Sequence, residues 1–242
     1  MAAPTALTPK AADLAARHNL GTLETTFAPP KRLNKLISAA IWLAIVTLLL
    51  MFVVPGLVYL WTLRKLPDFN PKQASKRLHL FENGMIAQPQ AGDGLVAIRW
   101  DSVRLYQDIT QMYSNGALAY RHCTYVALAP GASATITEFF ENPETWGSRM
   151  QEAVVHAQGT KVLEAVLAGE TVRFGAFEVS GLGIATAQKG LLSWPDVQEI
   201  QLRASWARVM RTGVSDAWDA DAVSRIANLY VFLTIAENLS AQ

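Results

Sequence analysis

Four histidines, one cysteine and a few clustered acids are the side chains of this 242-residue sequence best suited to chemistry. His18, His79, His122 and His156 have no partner at a metal-ligand spacing such as H-x₃-H or C-x₂-C, so structural roles are expected for them. His122 and Cys123 are neighbours in a predicted strand. Successive strand side chains point to opposite faces, so the two cannot form a nucleophile–base dyad, and Cys123 reads as a small buried hydrophobe. Asp216, Asp219 and Asp221 surround Trp218 but lack the calcium-loop pattern and its distal glutamate, and read as a solvated acidic loop. Gly181-Leu182-Gly183 lacks the third glycine and following helix of a dinucleotide fingerprint, and suits a hairpin or bulge. No phosphate-binding loop and no nucleophile elbow is present. The expectation is no catalytic residue, no cofactor and no metal.

Charge is more informative. The net charge is +1, but Arg64, Lys65, Lys72, Lys76 and Arg77 face a single acid, Asp68, between 64 and 77. Residues 78–242 carry 11 basic and 17 acidic side chains, which excludes the clustered positive charge that nucleic-acid binding needs. A basic stretch beside a membrane attracts anionic lipid headgroups, at about 1 kcal/mol per residue. These five residues are therefore the predicted membrane-surface contacts, and the lipid bilayer and its anionic headgroups are predicted partners, beside a protein partner of unknown kind.

The element preceding them is hydrophobic. Residues 36–63 contain no formal charge and are rich in Leu, Ile, Val, Trp and Phe. As one helix they would extend about 42 Å, against about 30 Å of bilayer hydrocarbon, while two full spans would need about 40 residues. One tilted transmembrane helix is predicted, with a tolerated kink at Pro55 and interfacial aromatics at Trp42, Tyr59 and Trp61. The run starts too far along the chain and is too long for a signal peptide. Its N-terminal flank carries Lys31, Arg32 and Lys35 and its C-terminal flank the five bases above, so the positive-inside rule leans towards a cytoplasmic C-terminal domain. A lone cysteine, which allows no internal disulfide, suits that compartment.

Around this run the chain divides into a tail (1–35), the span (36–63), a basic linker (64–76) and two β-rich units (77–168 and 169–242). In the tail, Thr8-Pro9 and Gly21 bracket a short predicted helix. In the first unit, turn signals at Asn83-Gly84, Ala91-Gly92-Asp93-Gly94, Ser114-Asn115-Gly116 and Pro130-Gly131 separate short strands. A helix is predicted from Asn142-Pro143-Glu144 to Ala168-Gly169, with Asn142 as cap, and a last one from about Ser224 to Leu239. The two units share a sequence order. Phe81 to Ala87 with its Ile86-Ala87 step, then Trp100-Asp101-Ser102-Val103, is matched by Phe177 to Ala185 with Ile184-Ala185, then Trp194-Pro195-Asp196-Val197. Trp100 and Trp194 are expected in the core or at its edge.

Strands followed by one C-terminal amphipathic helix resemble the pleckstrin-homology-like (PH-like) plan. Leu20-Gly21-Thr22-Leu23, Leu78-His79-Leu80-Phe81-Glu82-Asn83-Gly84, Gly169 to Ser180 and Trp194-Pro195-Asp196-Val197 are similar to uncharacterised actinobacterial-type single-pass membrane proteins with a PH-like β region. That resemblance implies an α+β fold: one N-terminal transmembrane helix followed by two PH-like units, each of antiparallel strands capped by a helix. It implies no catalytic residues. The function expected is a membrane-anchored, non-catalytic interaction module binding a protein partner or anionic headgroups. The alternatives are a structural subunit of a membrane complex, or an enzyme whose dispersed site uses Glu138, Glu141 or the Asp216–Asp221 acids.

Overall fold

The computed structural model describes residues 7–30, 33, 35–92, 94–114 and 117–241. Lys31 and Arg32 of the N-terminal flank, Asp93 of the second turn and the Asn115-Gly116 turn lie outside the described residues.

Helix α1 (Pro9–Arg17) and strand β1 (Leu23–Phe27) are followed by three helices: α2 (Lys35–Met51), α3 (Val53–Leu63) and the short α4 (Pro71–Ala74). Six strands come next: β2 (Leu78–Phe81), β3 (Gly84–Ala87), β4 (Val96–Arg99), β5 (Arg104–Ser114), β6 (Ala117–Ala129) and β7 (Ala132–Thr137), and then helix α5 (Pro143–Leu167). The second half holds β8 (Val172–Phe174), β9 (Phe177–Ser180), β10 (Gly183–Thr186), β11 (Gly190–Ser193), β12 (Val197–Arg203), β13 (Trp206–Arg211), β14 (Ala217–Ala222) and helix α6 (Leu229–Ser240). All pairings are antiparallel. The first half forms sheets β1-β2-β3-β4 and β5-β6-β7, and the second β8-β9-β10-β11 and β12-β13-β14. Each half is thus a four-stranded sheet, a three-stranded sheet and a closing helix.

The predicted transmembrane helix is not there. Among the described residues, no helix is long and apolar enough to cross a membrane. The apolar run is broken at Phe52, whose backbone leaves the helical region (φ −144°, ψ 89°). α2 has 17 residues, about 25 Å of helix, and α3 only 11. Pro55 is therefore no kink in one long helix. It lies in the first turn of a second helix, where a missing N–H costs nothing. The chain then folds back: a Cβ on Gly56 would stand 3.1 Å from the Leu49 Cα, positions that in a continuous helix would be about 10 Å apart. Glycine permits that approach. Nearer the other ends, the Trp42 ring meets Phe69 edge-on at 6.2 Å. This corrects the single-pass reading and, with it, the placement of the C-terminal domain across a membrane from the tail.

The tail belongs to the first sheet. β1 pairs with β2 from Leu23↔Phe81 to Phe27↔Leu78, and Ala11 and Ala15 of α1, with Leu20 just beyond it, pack against Phe81, Ile86 and Ala97. Arg99 fixes the end of α1 by donating to the His18 and Asn19 carbonyls, while Asp101, its ion-pair partner, is held below the usual carboxylate range by the Arg99 hydrogen bond. Arg149 of α5 donates to the Thr25 hydroxyl, and the Glu141 N–H donates to the Ala28 carbonyl.

His79 of β2 sits against Thr26 of β1, Nδ1 to Oγ1 at 2.8 Å, and is buried. Burial, aided by the Arg77 charge, lowers its pKa to about 4. The neutral ring is the folded form, so the folded state binds fewer protons at this site than the unfolded state. The contribution is complete above the unfolded pKa of about 6.5 and is lost as pH falls through about 4. We expect urea unfolding to show roughly 2–3 kcal/mol less stability at pH 4 than at pH 7 attributable to this group. His79→Gln should lose that part of the pH dependence, and an unchanged profile would exclude His79 as its source.

The internal repeat has a defined register. Gly84 pairs with Phe81 and Arg99, and Gly183 with Ser180 and Ser193. A Cβ on Gly84 would lie 2.3 Å from the Ile98 carbonyl oxygen, and one on Gly183 2.1 Å from that of Leu192. Two residues beyond those carbonyls stand Trp100 and Trp194, both buried, whose indole N–H groups donate to the Phe81 and Ser180 carbonyls at 3.0 and 2.9 Å. In this register Met85 matches Ile184, so the two Ile-Ala steps are offset by one residue and the sequence match there is coincidental.

One apolar core runs through both halves. It includes Trp100, Tyr125 and Trp146 of the first and Phe177, Ile226 and Phe232 of the second. Tyr125 meets Trp146 edge-on at 5.4 Å, and Phe177 stacks on Phe232 at 5.3 Å. Asn228, in the left-handed region (φ 52°), joins the halves. Its backbone N–H donates to the Leu105 carbonyl, and its side-chain oxygen accepts from the Leu105 N–H at 2.7 Å. Its amide donates to the Val103 carbonyl and to Gln158 Oε1 of α5. This is why α6 starts at Leu229 and not near Ser224: Asn228 faces the first half.

Candidate functional site

The feature without a structural explanation is the α2–α3 pair. Ile45, Gly56 and Leu63 are buried, but the remaining surface is apolar and open. Leu50 is 82% exposed, Val54 71% and Leu43 70%, and Met51, Phe52, Val53, Leu57 and Trp61 are also exposed. Contiguous exposed apolar surface is the kind of feature that interaction sites present. Two of its exposed hydroxyls are satisfied by the helix backbone: Thr47 donates to the Leu43 carbonyl and Thr62 to that of Tyr59, so neither needs water as an acceptor.

Polar contacts hold the base of the pair. The Leu33 N–H donates to Asp68 Oδ1 at 3.1 Å, linking the two strands of chain. Asn70 caps α4 by accepting from the Lys72 N–H and donates to the Arg64 carbonyl. Gln90 donates to the Lys65 carbonyl. A recess of about 240 Å³ lies here, lined in part by Pro30, Leu66, Gln90 and Glu138.

The five bases singled out in the sequence separate by direction. Arg64, Lys65 and Lys72 are exposed at this base, and the Lys65 ammonium lies 3.9 Å from the Trp61 ring centroid. Arg77 is half-buried and donates to the Ala74 and Lys76 carbonyls. Lys76 is 1% exposed, and its ammonium donates to the Pro89, Gln90 and Gly92 carbonyls at 2.6–2.8 Å. It staples the 88–92 loop and does not face a membrane. Its charge is plain in the sequence, but its direction depends on a loop that folds back over it.

Three of the five acids considered for a dispersed active site, Glu138, Asp219 and Asp221, hold structure together. Glu138 accepts from the Cys123 N–H at 3.1 Å and faces His122 at 3.4 Å. Glu141 is exposed. Asp219 accepts from the Thr186 hydroxyl at 2.6 Å, and buried Asp221 accepts from the Ala176 N–H at 2.9 Å, so both tie β14 to the neighbouring sheet. Asp216 stands exposed, apart from them. Cys123 is buried while His122 is half-buried, on opposite faces of β6. Among the described residues no group of three or more His, Cys, Asp or Glu could hold a metal ion.

No curated protein and no solved structure matches the chain. A family profile matches residues 1–242, the whole length in which the broken apolar pair, its base and the doubled sheet plan are encoded. The chain belongs to the family of unknown function DUF6585.

Proposed function

We propose that the protein is a non-catalytic interaction module attached to a lipid bilayer through α2 and α3, without crossing it. The observation that carries this reading is the exposed apolar surface of the pair. Arg64, Lys65 and Lys72 at its base would meet anionic headgroups, and Trp42, Tyr59 and Trp61 suit the interfacial zone. The repeated plan of four strands, three strands and a helix supports reading each half as PH-like, offered to a partner from the membrane surface. That Glu138, Asp219 and Asp221 are engaged in structural hydrogen bonds favours binding over catalysis.

The charge component has its own test. Replacing Arg64, Lys65 and Lys72 together by Gln removes about 3 kcal/mol of attraction to anionic lipid. Binding to phosphatidylserine-containing vesicles should weaken roughly 100-fold, while binding to phosphatidylcholine vesicles stays unchanged. Equal loss on both lipids, or on neither, would remove the headgroups from the account.

A further inference from the structure

We infer that α2 and α3 enter and leave the bilayer through the same leaflet, so that α1, β1 and both β-rich halves lie on one side. This rests on the membrane reading above and adds its topology. The decisive observation is the β1–β2 ladder. Phe27, just before the apolar run, pairs with Leu78, just after it, and Thr26 pairs with His79. A chain that crossed once would carry these partners to opposite faces, breaking the ladder and exposing the cluster formed by Ala11, Leu20, Phe81 and Ile86. The Leu33–Asp68 hydrogen bond closes the loop at the same level.

The dimensions agree. Neither helix reaches across: α2 is about 25 Å long and α3 about 16 Å, both short of the roughly 30 Å of bilayer hydrocarbon. The reversal at Phe52 carries Leu50, Met51, Phe52, Val53 and Val54, all exposed and apolar, and the exposed charges Arg64, Lys65 and Lys72 are at the other end. A tip without charge above a basic base is the polarity required for insertion tip-first into an anionic leaflet.

The test uses the full chain in sealed membrane vesicles of both orientations, prepared from expressing cells, and a membrane-impermeant maleimide. Cys123 is buried and gives a silent background. Lys10→Cys and Glu237→Cys, at exposed positions in α1 and α6, should label together in one vesicle orientation and lose labelling together in the other. Leu50→Cys should lose labelling in both orientations and regain it in detergent. Labelling of Lys10→Cys and Glu237→Cys from opposite sides overturns the inference while leaving membrane attachment intact. A chain absent from the vesicles overturns both. A disulfide dimer of Leu50→Cys formed without lipid would make a second copy the occupant of this surface, and also overturns the inference.

Discussion

Leu50→Asp combined with Val54→Asp is expected to release the protein from lipid vesicles while leaving it folded. Each substitution removes an apolar side chain worth about 1.5–3 kcal/mol on burial and places a carboxylate in hydrocarbon at a further cost of about 2.5–3.5 kcal/mol. The pair should weaken vesicle binding by more than about 1,000-fold. Because Leu50 and Val54 are 82% and 71% exposed, folding stability should move by no more than about 0.5 kcal/mol per site. Flotation on a density gradient reads the first effect and urea unfolding the second. A double variant that floats like the parent would show that the tip is not in contact with lipid.

The second large effect is on stability. Asn228→Ala should cost roughly 3–4 kcal/mol. It strands the buried Leu105 N–H, removes the donors to Val103 and Gln158, and forces a side chain with no local hydrogen bond into the left-handed region. Gln158 spreads the loss, because its own amide donates to the Trp100 and Val103 carbonyls, holding the first-half tryptophan loop beside the start of α6. Since a single core spans both halves, the parent should unfold in one transition by fluorescence and by circular dichroism alike. Asn228→Asp keeps the acceptor for Leu105 and tolerates the left-handed backbone, so its loss should be intermediate. A loss below about 0.5 kcal/mol for Asn228→Ala would show that the halves are joined by other contacts.

Much of the β architecture is legible in the sequence because it rests on local signals. Asn83-Gly84 sits at the first hairpin, Thr8-Pro9 opens α1 with the Thr8 hydroxyl accepting from the Ala11 N–H, and the tryptophans mark equivalent places. What fails does so for long-range reasons. β1 shows no alternating pattern, and its partner strand is more than 50 residues away in the chain, so nothing local identifies it. Asn142 and Asn228 precede helices, as a cap does, but both adopt left-handed backbone without a side-chain cap bond, and Asn228 spends its side chain on the other half. For the apolar run, length alone favours one helix. Its break depends on Phe52 leaving the helical region, on Pro55 opening a new first turn and on Gly56 admitting Leu49, a combination invisible to hydropathy. In the basic cluster a count of charges misses direction: Lys76 and Arg77 turn to backbone carbonyls, and only Arg64, Lys65 and Lys72 of the five stand exposed.

The broken helix and the turned bases lie in the same segment as the candidate site. The sequence identifies its chemistry, an apolar run beside positive charge, and the fold supplies its geometry, a reversal that returns to its own sheet. Direct flotation of the unmodified full chain with vesicles containing phosphatidylserine tests the account at its centre. The protein is expected to rise with the lipid and to stay there after a high-salt wash, held by the α2–α3 surface once the headgroup charges are screened. A chain that remains at the bottom of the gradient, folded and monomeric, would contradict it.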